Sequence, residues 1–300
     1  MNNRFQTNLS LKETLPCSVI IIKHGRDEHL KSVIQALSIN TVHPAEVIIV
    51  RMDDDAYVPC AFGLNIQYSD ISFVNGKMPL AAARNQGASI AEHDILMFLD
   101  IDCIPDFRYV ECSYDLIRKV GGLHMASPLY LQRKLDGPLL FDNLYSLSIP
   151  HPARPYPDSS IEICQVYELF WSLCYTIRKI DFYYTGGFDE RYVGYGGEDT
   201  DFAKNAEKLG LPFYLTAQKV FHQAHEVNLP PVNHCNSIVN NSNLYHMKWG
   251  VWPMEDWLGS FDRLGLIDWK DTQNHPISIL KESEKAHHQV ETSWTSFHAV

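Results

Sequence analysis

The first clear pattern in the chain is a short run in which almost every position is apolar and β-branched. Residues 18–23 read SVIIIK, the signature of a strand covered on both faces. The period then changes: over residues 27–39, Leu30, Val33, Ile34 and Leu37 share one face of a helix. Residues 46–50 (EVIIV) repeat the buried-strand pattern and lead into Asp53, Asp54 and Asp55. An Ala-rich helix is predicted over 79–91, with Pro79 near its start, where a missing N–H is tolerated. Residues 95–99 (ILMFL) form a third buried strand. This alternation predicts an α/β fold with a mostly parallel, doubly wound sheet. Ligands of such sheets sit at the carboxyl ends of the strands, and acids follow two of these strands, at Asp53 and Asp100.

The middle of the chain is less regular. Five prolines (Pro138, Pro150, Pro152, Pro155 and Pro157) make 137–160 read as a long surface loop. Residues 169–177 read as another strand, and 198–209 as a helix with Phe202, Ala206 and Leu209 inward and Gly210 as its stop. Residues 219–221 suit a last strand. The organisation expected is a tail over 1–16, a catalytic-type domain over 17–228, a helical and aromatic C-terminal extension over 229–280, and a polar tail over 281–300 whose composition favours disorder.

Composition narrows the function. Three hundred residues suit one main core plus an extension. The net charge of −11, with no Lys/Arg block, argues against a nucleic-acid groove, which needs a basic stripe. It also means that an anionic ligand needs a cation or local Arg and Lys side chains. The seven cysteines are odd in number and include no C-x-x-C pair, which disfavours a disulfide framework and fits a reducing cytoplasm. The first 16 residues lack the apolar region of a signal peptide. No apolar run approaches the ~20 residues of a spanning helix, so any membrane contact is expected to be peripheral.

Three clusters carry candidate chemistry. In FLDID (98–102), an apolar strand runs into Asp100 and Asp102, two acids that strand alternation would place on one side. Hard cations such as Mg²⁺ and Mn²⁺ take oxygen ligands and share coordination with substrate phosphates; solvated loop acids are the plainer explanation. The second cluster is GGFDE (186–190) followed by GYGGEDTD (194–201). Its glycines leave room for a ligand and set Glu198 and Asp199 in a helix's first turn. Acids there often only complement the helix dipole, but a positioned carboxylate can also act as a base on a hydroxyl. The third is FHQAH (221–225), where His222 and His225 could ligate a metal. Its spacing does not match a helical H-E-x-x-H zinc site.

Taken in order, the segments ARNQGA (83–88), ILMFLDID (95–102), GGFDE and GGEDTD resemble the glycosyltransferases of the GT-A fold, both the family-two-like inverting enzymes and a galactosyltransferase-type C-terminal module. The resemblance spans about 18–225. It implies a hexosyltransferase that moves a sugar from a nucleotide-sugar donor, UDP-sugar above all, to a carbohydrate or glycolipid acceptor with Mn²⁺ or Mg²⁺, in polysaccharide or glycoconjugate synthesis. It further implies Asp102 and His222 as metal ligands, with Asp100 beside them and His225 the alternative histidine. Asp53, Arg84, Asp100 and Arg26 would meet the donor. Asp199 would be the general base, and Glu198 would orient the acceptor. One departure is that VRMDDD (50–55) stands where the family reads V-D-D-G-S, which leaves the register of the nucleoside-binding acid open. The rival readings are a sugar nucleotidyltransferase, disfavoured because KHGR (23–26) is poor in glycine, and a non-catalytic carbohydrate-binding relative.

Overall fold

The computed structural model of the chain describes residues 12–54, 60–269, 275–280 and 293–294. Asp55, residues 1–11 and most of 281–300 lie outside the described residues.

In chain order the elements are β1 (Thr14–Lys23), α1 (Asp27–Ile39), β2 (His43–Met52), β3 (Ile66–Ile71), α2 (Leu80–Ile90), β4 (Ile95–Asp100), β5 (Cys103–Pro105), α3 (Tyr109–Val120), β6 (Leu123–Leu131), α4 (Phe141–Leu147), β7 (Ser148–Pro150), β8 (Ile161–Cys164), β9 (Cys174–Arg178), α5 (Lys179–Tyr184), α6 (Glu198–Lys208), β10 (Phe213–His222), α7 (Cys235–Trp249) and α8 (Glu255–Arg263). The main sheet has the order β3-β2-β1-β4-β9-β6-β10-β5. β1 runs parallel to β2 and β4, and β2 to β3. β9 is antiparallel to both β4 and β6, which restores β6 and its parallel neighbour β10 to the direction of β4. The sheet is therefore mixed, yet its six other long strands point one way and share one carboxyl edge.

Alternation along β1 shows why helices wind on both faces. Val19 and Ile21 pack into the layer under α1 and α3, with Leu30, Val33, Leu37, Val110 and Ile117. Ile20 and Ile22 face the other way, toward Ala83 and Ala88 of α2 and Phe202 of α6. Gly87 is where α2 touches the sheet: a Cβ there would lie 2.4 Å from Ile20 Cγ2. A third apolar cluster, including Val232, Ile238, Leu258 and Phe261, belongs to α7, α8 and their surroundings.

Several expectations change. The proline-rich 137–160 is not one long loop: it holds α4 and β7, and β7 pairs antiparallel with β6. Residues 169–177 are split between a 3₁₀ turn, Tyr167–Leu169, and β9. The strand expected over 219–221 runs ten residues as β10; its polar middle, Thr216 to Lys219, masks the first half from a pattern reading and coincides with a break in register against β6. β6 escapes a pattern reading because His124, Ser127 and Pro128 interrupt its apolar run, although most of the strand is buried.

Candidate active site

The acid pair sits where β4 leaves the sheet. The strand ends at Asp100, whose N–H donates to the Leu173 carbonyl at 2.8 Å, and the chain turns before β5. The two carboxylates consequently meet different partners instead of one point. Asp102 is 6% exposed. Its carbonyl accepts from Gln223 N–H at 2.8 Å, and Cys103 pairs with His222 across the β5–β10 ladder. This pairing delivers the histidines to the carboxylate. His222 Nε2 lies 3.6 Å from Asp102 Oδ1 and His225 Nε2 3.4 Å from Oδ2. One ligand atom from each of Asp102, His222 and His225 falls within 4.8 Å of the others. His222 stacks on Tyr130 with ring centroids 4.5 Å apart. Arg26, in a left-handed conformation before α1, sets Nη1 on Asp102 Oδ2. Burial pushes the Asp102 carboxyl up, but His222, His225 and Arg26 outweigh it and hold the group well below the usual carboxylate range. Burial also lowers His222, favouring the neutral imidazole that a metal needs. A carboxylate with two imidazoles at this spacing fits a divalent cation by donor chemistry. Asp100 is not a member of that group.

Asp100 belongs to a second network. Arg84 is 3% exposed and extends from α2 with Nη2 3.2 Å from Asp100 Oδ1 and Nη1 3.2 Å from Glu198 Oε1. Its guanidinium thus joins the end of β4 to the start of α6. Burial, set against the Arg84 charge and reinforced by Asp102, raises the Asp100 carboxyl to about 6. Burial and the neighbouring Asp199 raise Glu198 to about 7 despite Arg84. Asp199 is also raised by burial, against the pull of Arg84 and of the Thr200 N–H that donates to it at 2.8 Å. Glu198 Oε2 is buried without a hydrogen-bond partner. Asp100 and Tyr195 each feel the charges of both Asp102 and Asp199, so the two networks share one electrostatic site.

The segment before α6 reaches this position through left-handed glycines: Gly194, Gly196 and Gly197 have φ of 82°, 92° and 90°. A Cβ on Gly194 would lie 2.3 Å from Ser237 Oγ. Past the loop, the fully buried Asp201 accepts from Trp249 Nε1 at 2.7 Å and Lys248 Nζ at 2.8 Å.

Past the end of β2, Asp53 Oδ2 accepts from the Phe73 N–H at 2.6 Å. Asp54 turns toward β1, where it takes the buried Lys23 ammonium and, at 2.9 Å, the Gly25 N–H. Lys23 was readable as a lone charge ending an apolar strand, but the sequence reading gave it no role. Arg154 was also missed, inside the proline-rich segment. Its guanidinium lies 3.3 Å from the centroid of the Trp171 ring and acts electrostatically on Asp199. No local sequence pattern marks it.

Comparison with known proteins bears on the fold that carries this arrangement. A family model described as the N-terminal domain of galactosyltransferase matches residues 159–227, a stretch that holds β8, the glycine loop, His222 and His225. The S. aureus TarS fragment 1–349 superposes with a TM-score of 0.53 at 13% identity, over 76% of this chain and 64% of that one. GalNAc-T7, solved with UDP, GalNAc and Mn²⁺, superposes with a TM-score of 0.51 at 16% identity, over 72% of this chain and 44% of that one. The fold is that of the GT-A-type glycosyltransferases. Validoxylamine A glucosyltransferase of Streptomyces hygroscopicus subsp. limoneus is 24% identical over 277 residues, covering 78% of this chain. The chain spans 59% of that relative's length. Among the described residues, no helix of this GT-A chain is long and apolar enough to cross a membrane.

Proposed function

We propose that this chain is a hexosyltransferase that moves a sugar from a nucleoside diphosphate donor, UDP-sugar first, to a hydroxyl of a carbohydrate or glycolipid acceptor, with inversion at the anomeric carbon. The observation that carries the reading is the gathering of Asp102, His222 and His225 at the carboxyl edge of the sheet, joined to the Glu198–Asp199 pair through Tyr195, which feels the charges of Asp102, Glu198 and Asp199. The Mn²⁺ and UDP of GalNAc-T7, and UDP bound by TarS, support a metal and a uridine donor. Asp102, His222 and His225 would hold Mn²⁺ or Mg²⁺, which supplies Lewis-acid neutralisation of the departing diphosphate.

The protein's own groups do the rest. Asp53 meets the nucleoside, and Arg26, held at Asp102, meets the donor phosphates. Arg84 is occupied at both ends by carboxylates, so its part is to position Asp100 and Glu198. Asp199 takes the acceptor proton as the hydroxyl attacks the face opposite the leaving group. Glu198 orients that hydroxyl through its unpartnered Oε2. A single displacement needs no carboxylate nucleophile. Work in a cytoplasmic polysaccharide or glycoconjugate route, with peripheral membrane contact for a lipid-linked acceptor, fits this chemistry.

Screening UDP-, GDP- and TDP-sugars with Mn²⁺ for nucleoside diphosphate release in the presence of sugar acceptors tests the reading. Release of pyrophosphate instead would identify a nucleotidyltransferase, and sugar binding without turnover a non-catalytic relative.

A further inference from the structure

Helix α7 lies outside the main sheet and carries none of the acids or histidines described above, yet its first two turns touch the glycine loop. Asn241, 3% exposed, directs Nδ2 to the carbonyl of Gly196 at 2.7 Å, with the carbonyls of Val193 and Tyr195 at 3.4 and 3.5 Å. One turn earlier Ser237 fills the space that a Gly194 side chain would need, and Asn241 Cβ lies 3.5 Å from where a Gly197 Cβ would sit. Two turns later Lys248 and Trp249 bind Asp201. The loop therefore reaches Glu198 and Asp199 with its backbone carbonyls tied on one side and the following helix turn tied on the other. Glycine-rich backbone is costly to order, and α7 supplies the contacts that select one conformation.

We propose that Asn241 is a positioning residue of the transfer reaction: it holds the 193–197 carbonyls so that Glu198 and Asp199 meet the acceptor hydroxyl in one geometry. The C-terminal extension is in this sense part of the active centre. The inference rests on the reading of Asp199 as the base.

The same helix provides its own control. Asn243, two residues on and directed elsewhere, donates to Ile277 O at 2.9 Å and accepts from Ile277 N–H at 2.8 Å. Removing it costs comparable hydrogen bonding without touching the loop. The experiment compares Asn241→Ala, the near-isosteric Asn241→Leu and Asn243→Ala in the full chain, by melting temperature, amide hydrogen exchange and transfer kinetics. The Asn241 variants are expected to exchange faster at amides 193–199 and to lose about ten- to a hundredfold in kcat, since small misplacements of reacting groups have effects of that size. Their donor KM stays near wild type, and Asn243→Ala lowers stability with unchanged kcat. Equal kcat in the Asn241 and Asn243 variants, or unaltered exchange at 193–199 in both Asn241 variants, overturns the proposal. If the wild-type chain transfers no sugar, the assignment of Asp199 fails separately, and the exchange comparison still decides whether Asn241 holds the loop.

Discussion

Arg84 Nη1 lies 3.2 Å from Glu198 Oε1, a contact between α2 and the first turn of α6. Both groups are nearly inaccessible, with side-chain exposures of 4% and 7%. Breaking a buried pair by removing one partner strands the other charge and costs about 3–5 kcal/mol. Arg84→Met, which keeps much of the packing, is expected to show a loss of that order by denaturant unfolding at neutral pH. The loss should shrink toward pH 5, because Glu198 and Asp100 titrate at about 7 and about 6 and shed their charge on acidification. In the wild type the same sign holds: a raised carboxyl contributes stability below its unfolded pKa and loses it as pH climbs through the folded value. A deficit that grows with acid would contradict this arrangement.

Asp199→Asn removes the proposed base and keeps the shape of the side chain. General-base losses run to about 10²–10⁴-fold, so kcat should fall by that factor. Donor affinity, read by calorimetry with a UDP-sugar, should stay within a few-fold of wild type. Equal losses of binding and turnover would place Asp199 at the donor instead.

The acidic limb of the pH profile should lie above the ordinary carboxylate range, since burial raises Asp199 and its neighbour Glu198 holds a proton up to about 7. Arg154 works against that shift through its charge. Arg154→Ala should therefore move the limb of kcat/KM to higher pH. An unmoved or acid-shifted limb would show that Arg154 does not act on the base.

Cation binding has a readout independent of turnover. A ligand at about 100 times its Kd stabilises the folded state by about 2.7 kcal/mol, so Mn²⁺ should raise the melting temperature and EDTA should reverse the effect. His222→Ala and Asp102→Asn should abolish the response. A shift of wild-type size in both variants would locate the cation elsewhere.

Gly87 sets how closely α2 lies on the sheet. The Cβ of Gly87→Ala would meet Ile20 Cγ2 at 2.4 Å and Val50 Cγ2 at 3.3 Å. Overpacking of this kind typically costs about 1–3 kcal/mol. Because Arg84 is one turn away on α2, turnover should fall along with stability. Stability loss with full kcat would mean that the helix yields without moving Arg84.

The legible parts of the fold were those with one period and no interruption. β1, α1, β2, α2 and β4 each show a clean apolar pattern, and α6 is marked by its glycines on both sides. β6 and β10 carry Pro128 and the Thr216–Lys219 stretch inside otherwise buried strands, so local pattern could not register them. The reversal of β9 is a pairing fact with no local signature. In the site, residue types pointed to Asp102, His222 and His225, which the structure brings together, but the other partners depended on where the strand stopped. Alternation past Asp100 assumed a strand that the chain leaves, so it could not show that Asp100 turns to Arg84 while Asp102 turns to the histidines. Asp53 and Asp54 are adjacent in sequence, and only the position of Lys23 shows which of them is held by β1. Arg154 and Asn241 were illegible because their importance comes from what packs against them.

The ladder between β5 and β10 has a temporal consequence. Asp102 and His222 are 120 positions apart, yet they become neighbours through backbone pairing at Cys103 and His222. Contacts between such distant positions require a large loop to close and form late or slowly. A nascent or partly folded chain that has built the first strands would already display the Asp100–Asp102 segment, but it would lack both His222 and His225. Cation capture should therefore report completion of the sheet, and a chain ending before His222 should remain blind to Mn²⁺ however well its opening half is assembled.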